Sequence, residues 1–510
     1  MILAAINPTP AVSMWPFVVL VVSLVFTIVM ISVLRVHAFL ALIAAAILAG
    51  LMAEQLPGAK PRVANVSAQS ISISPDKPLK NHWVRAVELT TEEFGRTAGA
   101  IGVVIGLACI ISICLMESGA ADKVVRRFLA FFGEKRAGIA LLVSTYILSI
   151  PIFFDTMFML MLPLAMALSL RTGKDYLLYV LAICCGGVLT HSLTVPHPGP
   201  LAMVENLKID VGFSILAGIL GGIIPAIGGW FVAKWMNAKM KLPLRETTGA
   251  SLSELKILAA RPESELPSFT LAILPVLLPV ILISLASLFD VANRSVTTST
   301  WAGALVNLCG GPTIFSSVHS AVEFIGNKNI GLLLGAVIAV AVLARQKKLG
   351  LDHISKLLEP SLATAGLMIL ITSAGGAFGL MLRNAGVGEA IQACASGRKI
   401  NLILLSYVVA FVIRAAQGSA TIAMLTTSAM VYPIMTSGGG IPYNPIYIYL
   451  AIGFGAFAVS WMNDSGFWVV SKFSGFTERE TLRSWTILLT AMSVIGLFTT
   501  LFFATILPLK

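Results

Sequence analysis

The chain has 510 residues, of which 57% are hydrophobic and 12% are charged, and its mean hydropathy is +0.91. This composition excludes an ordinary soluble protein, and the apolar runs of about twenty residues are long enough to cross a bilayer core of roughly 30 Å. The net charge is +11. The basic residues responsible for it lie in short loops between these runs, where the positive-inside rule and anionic lipid explain them without a nucleic-acid partner. We therefore predict an all-α polytopic membrane protein.

The apolar segments fall into two sets of six, and the first segment lies close to the N-terminus. That segment lacks a basic leader and a small-residue cleavage site, so we interpret it as a span rather than a cleaved signal peptide. The first set covers residues 15–34, 37–53, 98–116, 139–170, 177–203 and 213–235. The second set covers residues 269–289, 329–344, 364–382, 402–433, 446–470 and 485–507.

The fourth segment of each set is too long for one span and has polar residues in its middle. In the first set it carries Pro151 and Asp155 within SIPIFFDT, and basic residues flank both of its ends. If basic loops face the cytoplasm, both ends lie on one side of the membrane, which predicts a re-entrant hairpin. Its tip must be buried in protein or line a cavity. The corresponding tip in the second set is IRAAQGSAT.

The fifth segment of each set is interrupted, by SLTVPHPGP in the first and by SWMNDSG in the second. Proline removes a hydrogen-bond donor and clashes with the preceding turn, so it breaks a helix. The backbone groups that become free, together with the ends of two half-helices, can bind ions and anionic groups. We therefore predict one broken helix in each set.

The landmarks of the two sets recur in the same order, which indicates an internal duplication. A shift of 266 residues carries Pro151 onto Gln417, and it carries His197 of HPGP onto Asn463. Counting each hairpin as non-crossing gives about five spans per half, and this odd number inverts the second repeat. The predicted domains are a first repeat at 1–238, a cytoplasmic linker at 239–267 and an inverted second repeat at 268–510. This is the architecture of an alternating-access secondary transporter.

Three charged residues inside the apolar segments are candidates for the chemistry of transport. Acids within a membrane are costly and usually line a cavity or relay protons, so Asp155 and Asp464 are the candidates for proton or ion coupling. Asp155 could instead cap the second helix of its hairpin. Arg414 could bind a substrate carboxylate through two parallel hydrogen bonds, or it could be a structural partner of Asp155 or Asp464.

Polar residues in the tips and breaks are candidates for substrate contacts, although small hydroxyl residues also serve helix packing. These candidates are Gln417, Ser419, Thr421, His197, Asn463 and Ser465. We interpret His191 as a buried, satisfied histidine, and Ser373, Gly375 and Gly376 as residues that allow close helix packing. The spacing of His191 and His197 does not favour a metal site, and no cofactor is expected. The sequence contains neither a P-loop nor a GxSxG or HExxH motif, so neither ATP-driven transport nor an enzyme is indicated.

Five stretches together resemble the gluconate permease (GntP-type) family of proton symporters, within a larger ion-transporter superfamily. They are PIFFDTMFMLMLPLA, HSLTVPHPGP, SAGGAFG, RAAQGSATIA and SWMNDSGFWV. The resemblance implies proton-coupled import of gluconate or a related small hydroxy-carboxylate across the bacterial inner membrane, by an inverted-repeat fold with hairpins. The chain has Asp155 where many members carry Glu, and Trp461 and Met462 where many carry His and Val. These departures leave glycerate, ketogluconate, other aldonates and short hydroxy acids open as substrates.

Two other interpretations compete with the proton symporter. The Ser, Thr and Asn side chains and the open carbonyls at the breaks could equally bind sodium, which would make the protein a sodium-coupled carboxylate symporter on the same scaffold. A channel or a membrane-embedded enzyme is more remote, because the sequence offers no nucleophile–base pair and no metal constellation. The expected partners are a small anionic carboxylate, the coupling ion and membrane lipid, and the superfamily resemblance implies a homodimer.

Overall fold

The computed structural model of the chain describes residues 14–59, 80–133, 136–240, 242–245, 262, 265–295, 300–387, 390, 401–437, 441–462 and 464–509. Its named secondary-structure elements, within this part of the chain, are all helical. Seven of the described helices are long and apolar enough to cross a membrane. The fold is therefore that of an all-α polytopic membrane protein, as the composition predicts.

The first half of the chain contributes nine helices within the described residues, and most of the connections between them are at most five residues long. The helices are α1 (Trp15–Ile28, continued by a π-helical turn at Val29–Val33), α2 (Ala38–Met52), α3 (His82–Glu117), α4 (Ala120–Phe132), α5 (Ala137–Leu148), α6 (Phe154–Thr172), α7 (Tyr176–Leu193), α8 (Pro198–Leu207) and α9 (Val211–Met240).

The second half contributes the remaining described helices, and it again contains short interruptions late in its sequence. The helices are α10 (Phe269–Ser295), α11 (Thr300–Leu308), α12 (Pro312–Ile325), α13 (Lys328–Lys347), α14 (Leu351–Asn384), α15 (Leu402–Gln417), α16 (Ala420–Ser437), α17 (Ile446–Phe457), α18 (Ser465–Ser474), α19 (Glu478–Thr481) and α20 (Ile487–Ile506), with a π-helical stretch at Leu482–Thr486 between the last two.

A pair of helices with a short connection lies at each predicted hairpin, and an interruption lies at each predicted broken helix, while the re-entrance of the hairpins remains a prediction. The pair α5–α6 forms hairpin 1 and the pair α15–α16 forms hairpin 2, while α7–α8 and α17–α18 are the two interrupted helices. The order of a hairpin followed by a broken helix thus occurs once in each half. The inversion of the second half relative to the first remains a prediction from the loop charges.

The structure differs from the predicted segments in the lengths and number of helices. Helix α3 begins sixteen residues before the predicted segment at 98, because its first turns are polar and carry no hydropathy signal. Helix α14 likewise begins before the predicted segment at 364. Helices α4, α11 and α12 were not predicted, because they are short or apolar on one face only, and a search for continuous apolar runs passes over such helices.

The helices form two packed groups. In the first, α14 lies along α2 and α3, while α13 packs against α3 and α10. In the second, the hairpins and broken helices pack against one another, with α9 and α20 at their side. The groups meet between α9 and α10 and between α14 and α16, where a Cβ on Gly379 would lie 2.2 Å from the Ala429 Cβ. Glycine is therefore needed for this close approach.

Candidate functional site

The tip of hairpin 1 is the five-residue connection between α5 and α6. Pro151 supplies no N–H group and the chain leaves the helical conformation around it. Helix α6 then begins at Phe154, with Phe153 as its N-cap residue. Asp155 lies in the first turn of α6 and is not the N-cap residue, so the capping interpretation of Asp155 was wrong. A carboxylate in the first turn is still favoured by the helix dipole.

The tip of hairpin 2 is only two residues long. Gly418 adopts a left-handed conformation with φ +77°, which closes α15 through a hydrogen bond from its N–H to the Arg414 carbonyl at 2.8 Å. Glycine adopts this conformation without steric cost. Ser419 then starts α16, because its Oγ accepts a hydrogen bond from the Ile422 N–H at 3.3 Å. The hydroxyl of Ser419 is therefore engaged in helix capping.

The break between α7 and α8 covers the residues from Thr194 to His197. Pro196 stops α7, and Pro198 occupies the first turn of α8, where its missing N–H would be unsatisfied in any case. His197 is the N-cap residue of α8 but makes no side-chain cap, which leaves its ring free for other contacts. Helix α9 closes over this break, since a Cβ on Gly218 would lie 1.9 Å from the Leu193 carbonyl oxygen.

The break between α17 and α18 is stabilised by a side-chain network. Asp464 is the N-cap residue of α18, and its Oδ1 accepts from the Gly466 N–H at 3.1 Å. Val459 adopts φ +44°, a strained conformation for a β-branched residue. Such strain concentrates at functional sites.

The two tips and the two breaks meet at one place. His197 Nε2 lies 2.6 Å from the Ser149 carbonyl oxygen, which joins tip 1 to the first break. The rings of Phe154 and Trp485 are 5.2 Å apart, and Trp485 Nε1 donates to Ser460 Oγ at 2.6 Å, which joins tip 1 to the second break.

Tip 2 contacts both breaks as well. Trp461 Nε1 donates to the Ala415 carbonyl at 3.0 Å. On the other side, a Cβ on Gly199 would lie 3.5 Å from the Thr421 Cα atom. Four interruptions of the helical backbone therefore surround one buried region.

The buried charges of this region are Arg414 and Asp464. Their side chains are 4% and 9% exposed, and Arg414 Nη2 donates to Asp464 Oδ2. Arg414 Nη1 donates to the Gly418 carbonyl, and Ser460 Oγ donates to the same Asp464 oxygen. Arg414 Nη2, Ser460 Oγ and the Gly466 N–H therefore all donate to the Asp464 carboxylate, an arrangement that suits its ionised form. The structural-partner interpretation of Arg414 is therefore correct for this conformation.

Asp155 is the second carboxylate of the site and has a different environment. It is partly exposed and, among the described residues, makes neither a hydrogen bond nor an ion pair. Its neighbour Phe154 packs on Trp485, which donates to Ser460 beside Asp464, so tip 1 brings Asp155 to the same region. The site thus contains one carboxylate that is fully bonded and one that is accessible.

The two histidines lie beside each other at the first break. Their ring centroids are 4.3 Å apart, and the Phe153 ring packs against both. His191 Nδ1 is buried without a hydrogen-bond partner among the described residues, so the interpretation of His191 as a satisfied histidine was wrong.

Several buried hydroxyl groups, three of them at or next to tip 1 and the first break and the others within α14 and α16, also have no hydrogen-bond partner among the described residues, although such groups are usually paired. Sequence reasoning missed most of them, since a single Ser or Thr in an apolar run carries no signal. They are Ser149, Ser192, Thr194, Thr372, Ser373, Thr426 and Thr427. These groups form a set of donors and acceptors that a polar solute could use.

The remaining predicted site residues fall into three groups. Ser419 and Thr421 are partly buried at tip 2, whereas Ser465 is exposed at the start of α18. Asn463 and the side chain of Gln417 lie outside the described residues. Gly375 and Gly376 serve close packing, because a Cβ on them would lie 2.9 Å from Leu425 and 2.5 Å from Thr97.

A narrow cleft lies between α3, α8, α14 and α16. Its volume of about 40 Å³ has room for a few water molecules. Arg96, Lys208 and Arg383 line it together with Glu93 and Glu205. The two acids are paired, Glu93 with Arg96 and Glu205 with Lys328. The predicted topology assigns this cleft to the periplasmic side.

Comparisons with known proteins agree with this architecture. The sequence matches the model of the GntP family permease over residues 83–506. It is 30% identical to a gluconate permease of Pseudomonas aeruginosa over 481 residues, which cover 93% of this chain and 94% of that protein. It is 28% identical to the Gnt-II system L-idonate transporter of Escherichia coli over 404 residues, which cover 79% and 85%.

Two solved structures share the fold. MtrF of Neisseria gonorrhoeae, from a class of antimetabolite efflux pumps, superposes with a TM-score of 0.58 at 14% identity and covers 92% of this chain and 94% of its own. The YdaH transporter of Alcanivorax borkumensis superposes with a TM-score of 0.55 at 12% identity and covers 93% and 98%. At these identities the likeness concerns the fold alone.

Proposed function

This chain belongs to the GntP family of permeases, so it is a multi-pass transporter of the bacterial inner membrane and not an enzyme, and we propose that it imports gluconate or a related small sugar acid by proton symport. The observation that carries the proposal is the buried Arg414–Asp464 pair at the meeting point of two tips and two breaks. A guanidinium is the side chain best suited to a carboxylate, and the unpartnered hydroxyls of Ser149, Ser192 and Thr194 at tip 1 and the first break suit the hydroxyl groups of a sugar acid.

Asp464 couples the proton to the substrate through Arg414. In the described conformation Asp464 neutralises Arg414 and occupies one of its donors. When Asp464 gains a proton, its negative charge disappears and the guanidinium can pair with the substrate carboxylate instead. The buried site then keeps its charge balance, which avoids the cost of an unpaired buried ion. Proton and sugar acid therefore bind together and leave together.

Asp155 transfers the proton between the solvent and Asp464. Its partial exposure and its lack of partners among the described residues allow it to exchange protons, and the contact of tip 1 with the second break brings it to the region of Asp464. His197 and tip 1 complete the polar wall on that side. Ser419, Thr421 and Ser465 line the opposite side and contact the substrate, and Gln417 and Asn463 stay predicted substrate contacts.

Alternating access follows from movement between the two packed groups of helices. The tips and breaks belong to one group, and its contacts with the other group, between α14 and α16 and between α9 and α10, include closely packed glycines. Movement of the site-bearing group along these contacts exposes the site first to one side and then to the other. If the second repeat is inverted as predicted, the outward-open and inward-open conformations are related by the symmetry of the two repeats.

The substrate class comes from the relatives and from the chemistry of the site. One relative is named for gluconate and another for L-idonate. Both are six-carbon sugar acids with one carboxylate and several hydroxyls. Uptake of labelled gluconate and of labelled L-idonate, each with the other as competitor, decides between them.

The second candidate function is sodium-coupled uptake of the same acids. It is favoured by the unpartnered oxygens of Ser149, Ser192 and Thr194 around the first break, since sodium is bound by hydroxyl and carbonyl oxygens.

The deciding experiment uses proteoliposomes with an imposed pH gradient, with and without sodium, and labelled gluconate. Accumulation that is driven by the pH gradient alone and abolished by a protonophore supports the proton symporter. Strict dependence on sodium at a fixed pH gradient would replace it with the second candidate. Equilibration without accumulation would indicate a channel.

Asp464→Asn tests the coupling step directly. The variant carries a permanently neutral partner for Arg414, so gluconate binding persists but no longer strengthens as the pH falls. Concentrative uptake is lost while exchange of labelled for unlabelled gluconate continues. Concentrative uptake at the wild-type level in this variant would remove Asp464 from the proton path.

A further inference from the structure

We propose that an anionic phospholipid binds in a second cavity, far from the transport site, with its phosphate on Arg136, Lys174 and Lys234. This cavity has a volume of about 930 Å³ and lies between the base of hairpin 1 and helix α9. The proposal does not depend on which solute the protein carries.

The cationic residues of the cavity come from separate elements that converge on it. Arg136 immediately precedes α5, and Lys174 follows α6, so both ends of hairpin 1 contribute one cation each. Lys234 comes from α9. The carboxylate of Asp175 also lines the cavity, but its Oδ1 accepts a hydrogen bond from Asn237 Nδ2 at 2.8 Å. The lining therefore carries an excess of positive charge.

The apolar part of the lining distinguishes a lipid from a free anion. Trp230, Leu170, Leu178 and Leu242 form walls beside the cations. A cavity with a cationic end and apolar walls matches an amphiphile, whose phosphate needs the charges and whose acyl chains need the walls. Basic pockets between transmembrane helices on the cytoplasmic side bind such headgroups.

The position of the cavity along the bundle also fits a lipid. The charge distribution assigns this end to the cytoplasm, where anionic lipids are attracted to basic segments. On the same helix, Phe231 and Trp235 are exposed, and Lys239 Nζ lies 4.3 Å from the centre of the Trp235 ring. Exposed aromatic and basic side chains of this kind mark the membrane–water interface.

Occupancy of the cavity joins hairpin 1 to α9. The floor of the cavity is fixed, because Asn237 Oδ1 accepts from the Leu178 N–H at 3.2 Å and so holds α9 to α7. Hairpin 1 meets this floor through Gly138 in α5, where a Cβ would lie 2.7 Å from the Trp230 ring. A phosphate that bridges Arg136, Lys174 and Lys234 would steady the hairpin base, so anionic lipid should raise the thermal stability of the protein.

The test compares two double variants of the purified full-length protein in detergent. Arg136→Gln/Lys234→Gln removes two cations from the cavity, and Arg345→Gln/Lys348→Gln removes two exposed cations from the same end of the bundle outside it. Added phosphatidylglycerol should raise the melting temperature of the wild type and the control, and phosphatidylcholine should not. In the cavity variant the apparent affinity for phosphatidylglycerol should fall about tenfold or more.

Each other outcome overturns the proposal in a recognisable way. Equal responses of the two double variants would show that the lipid acts elsewhere. An equal shift with inorganic phosphate alone would show a free-anion site instead of a lipid site. An equal shift with phosphatidylcholine would show that the charges are irrelevant.

A second measurement covers the case in which the cavity variant does not fold. Brominated phosphatidylglycerol should quench part of the tryptophan fluorescence of the wild type more strongly than brominated phosphatidylcholine. The excess quenching should disappear in Trp230→Phe, since Trp230 lines the cavity. Unchanged excess quenching in that variant would contradict the proposed position of the lipid.

Discussion

The two tip-and-break pairs share their backbone design but differ in chemistry. Around tip 1 and the first break lie two histidines and several buried hydroxyls without partners among the described residues. Around tip 2 and the second break lie the Arg414–Asp464 pair and a network in which Ser460 receives a hydrogen bond from Trp485 and donates one to Asp464. The first region holds mostly unpartnered polar groups beside one carboxylate, Asp155, whereas the second holds a bonded ion pair. Arg414 Nε and the hydroxyls of Thr426 and Thr427 in the second region also lack partners among the described residues.

This difference indicates that the two regions have different roles in substrate recognition. A bonded ion pair holds its side chains in fixed positions, and disrupting it is expensive. Unpartnered hydroxyls stabilise the protein little, but they are available to a ligand. We therefore expect the second region to control charge recognition and stability together, and the first region to control recognition of hydroxyl groups with little effect on stability. The following variants separate these two roles.

Arg414→Gln should have the largest effect. It removes the cation that is proposed to bind the carboxylate, and it leaves Asp464 buried without its ionic partner. Breaking a buried ion pair by removing one partner costs about 3–5 kcal/mol. We expect uptake to fall at least ~100-fold, since a charge-assisted bidentate contact is lost, and the melting temperature to drop. Uptake in proteoliposomes and thermal unfolding in detergent measure the two effects.

The double variant Arg414→Gln/Asp464→Asn is the control for this prediction. It removes both charges, so it should recover most of the lost stability without recovering uptake. If the double variant also recovers uptake, Arg414 only balances the charge of Asp464 and does not bind the substrate.

Asp155→Asn should have the next largest effect on accumulation and almost none on stability. Asp155 makes no hydrogen bond or ion pair with a described residue, so its replacement by an isosteric amide breaks no contact. The proposed proton transfer would fail, and the ratio of internal to external gluconate under a pH gradient should fall to about one, as expected for an uncoupled carrier. Wild-type accumulation by this variant would exclude Asp155 from the proton path.

The tips and breaks could be predicted from the sequence because their signals are local. Proline, glycine or a charge within an apolar run marks an interruption without any knowledge of the fold, and Pro151, Gly418 and Pro196 mark three of them. Their convergence was predicted from the repeated order of landmarks. The structure adds the contacts, such as that between His197 and Ser149.

Other features of the site could not be predicted, because they depend on residues that are distant in the sequence or on backbone geometry. Arg414 and Asp464 are fifty residues apart, and only packing determines that they pair with each other instead of with Asp155. The positive φ of Val459 contradicts the preference of a β-branched residue, so tertiary contacts must impose it. The amphipathic helix α4 was not predicted from the sequence, because only one of its faces is apolar.

His197→Ala should have an intermediate effect. The ring of His197 joins the first break to the Ser149 carbonyl at 2.6 Å, so its loss leaves a buried acceptor unpaired at a cost of about 1–3 kcal/mol. We expect uptake to fall about tenfold, which corresponds to roughly 1.4 kcal/mol. The control is His191→Ala, which removes the adjacent ring and leaves the bond to Ser149 intact. Equal losses in both variants would show that ring packing, and not this bond, is what matters.

Thr194→Val should have the smallest effect on stability and still impair transport. The Thr194 hydroxyl is buried without a partner among the described residues, so replacing it by an isosteric methyl group should leave the melting temperature unchanged or raise it slightly. If this hydroxyl serves the substrate, the KM for gluconate should rise about threefold to tenfold, because a hydrogen bond to a ligand contributes about 0.5–1.5 kcal/mol.

The matched control for this variant is Thr190→Val, one turn earlier in α7. The Thr190 hydroxyl donates to the Gly186 carbonyl at 3.1 Å, so it is already occupied within the helix and unavailable to a solute. Its replacement should leave KM unchanged. A rise in KM for both variants would mean that packing in α7 governs uptake, and the first region would then lose its proposed role in hydroxyl recognition. A rise in KM for Thr194→Val alone would support recognition of the substrate hydroxyls by the first region and of its charge by the second.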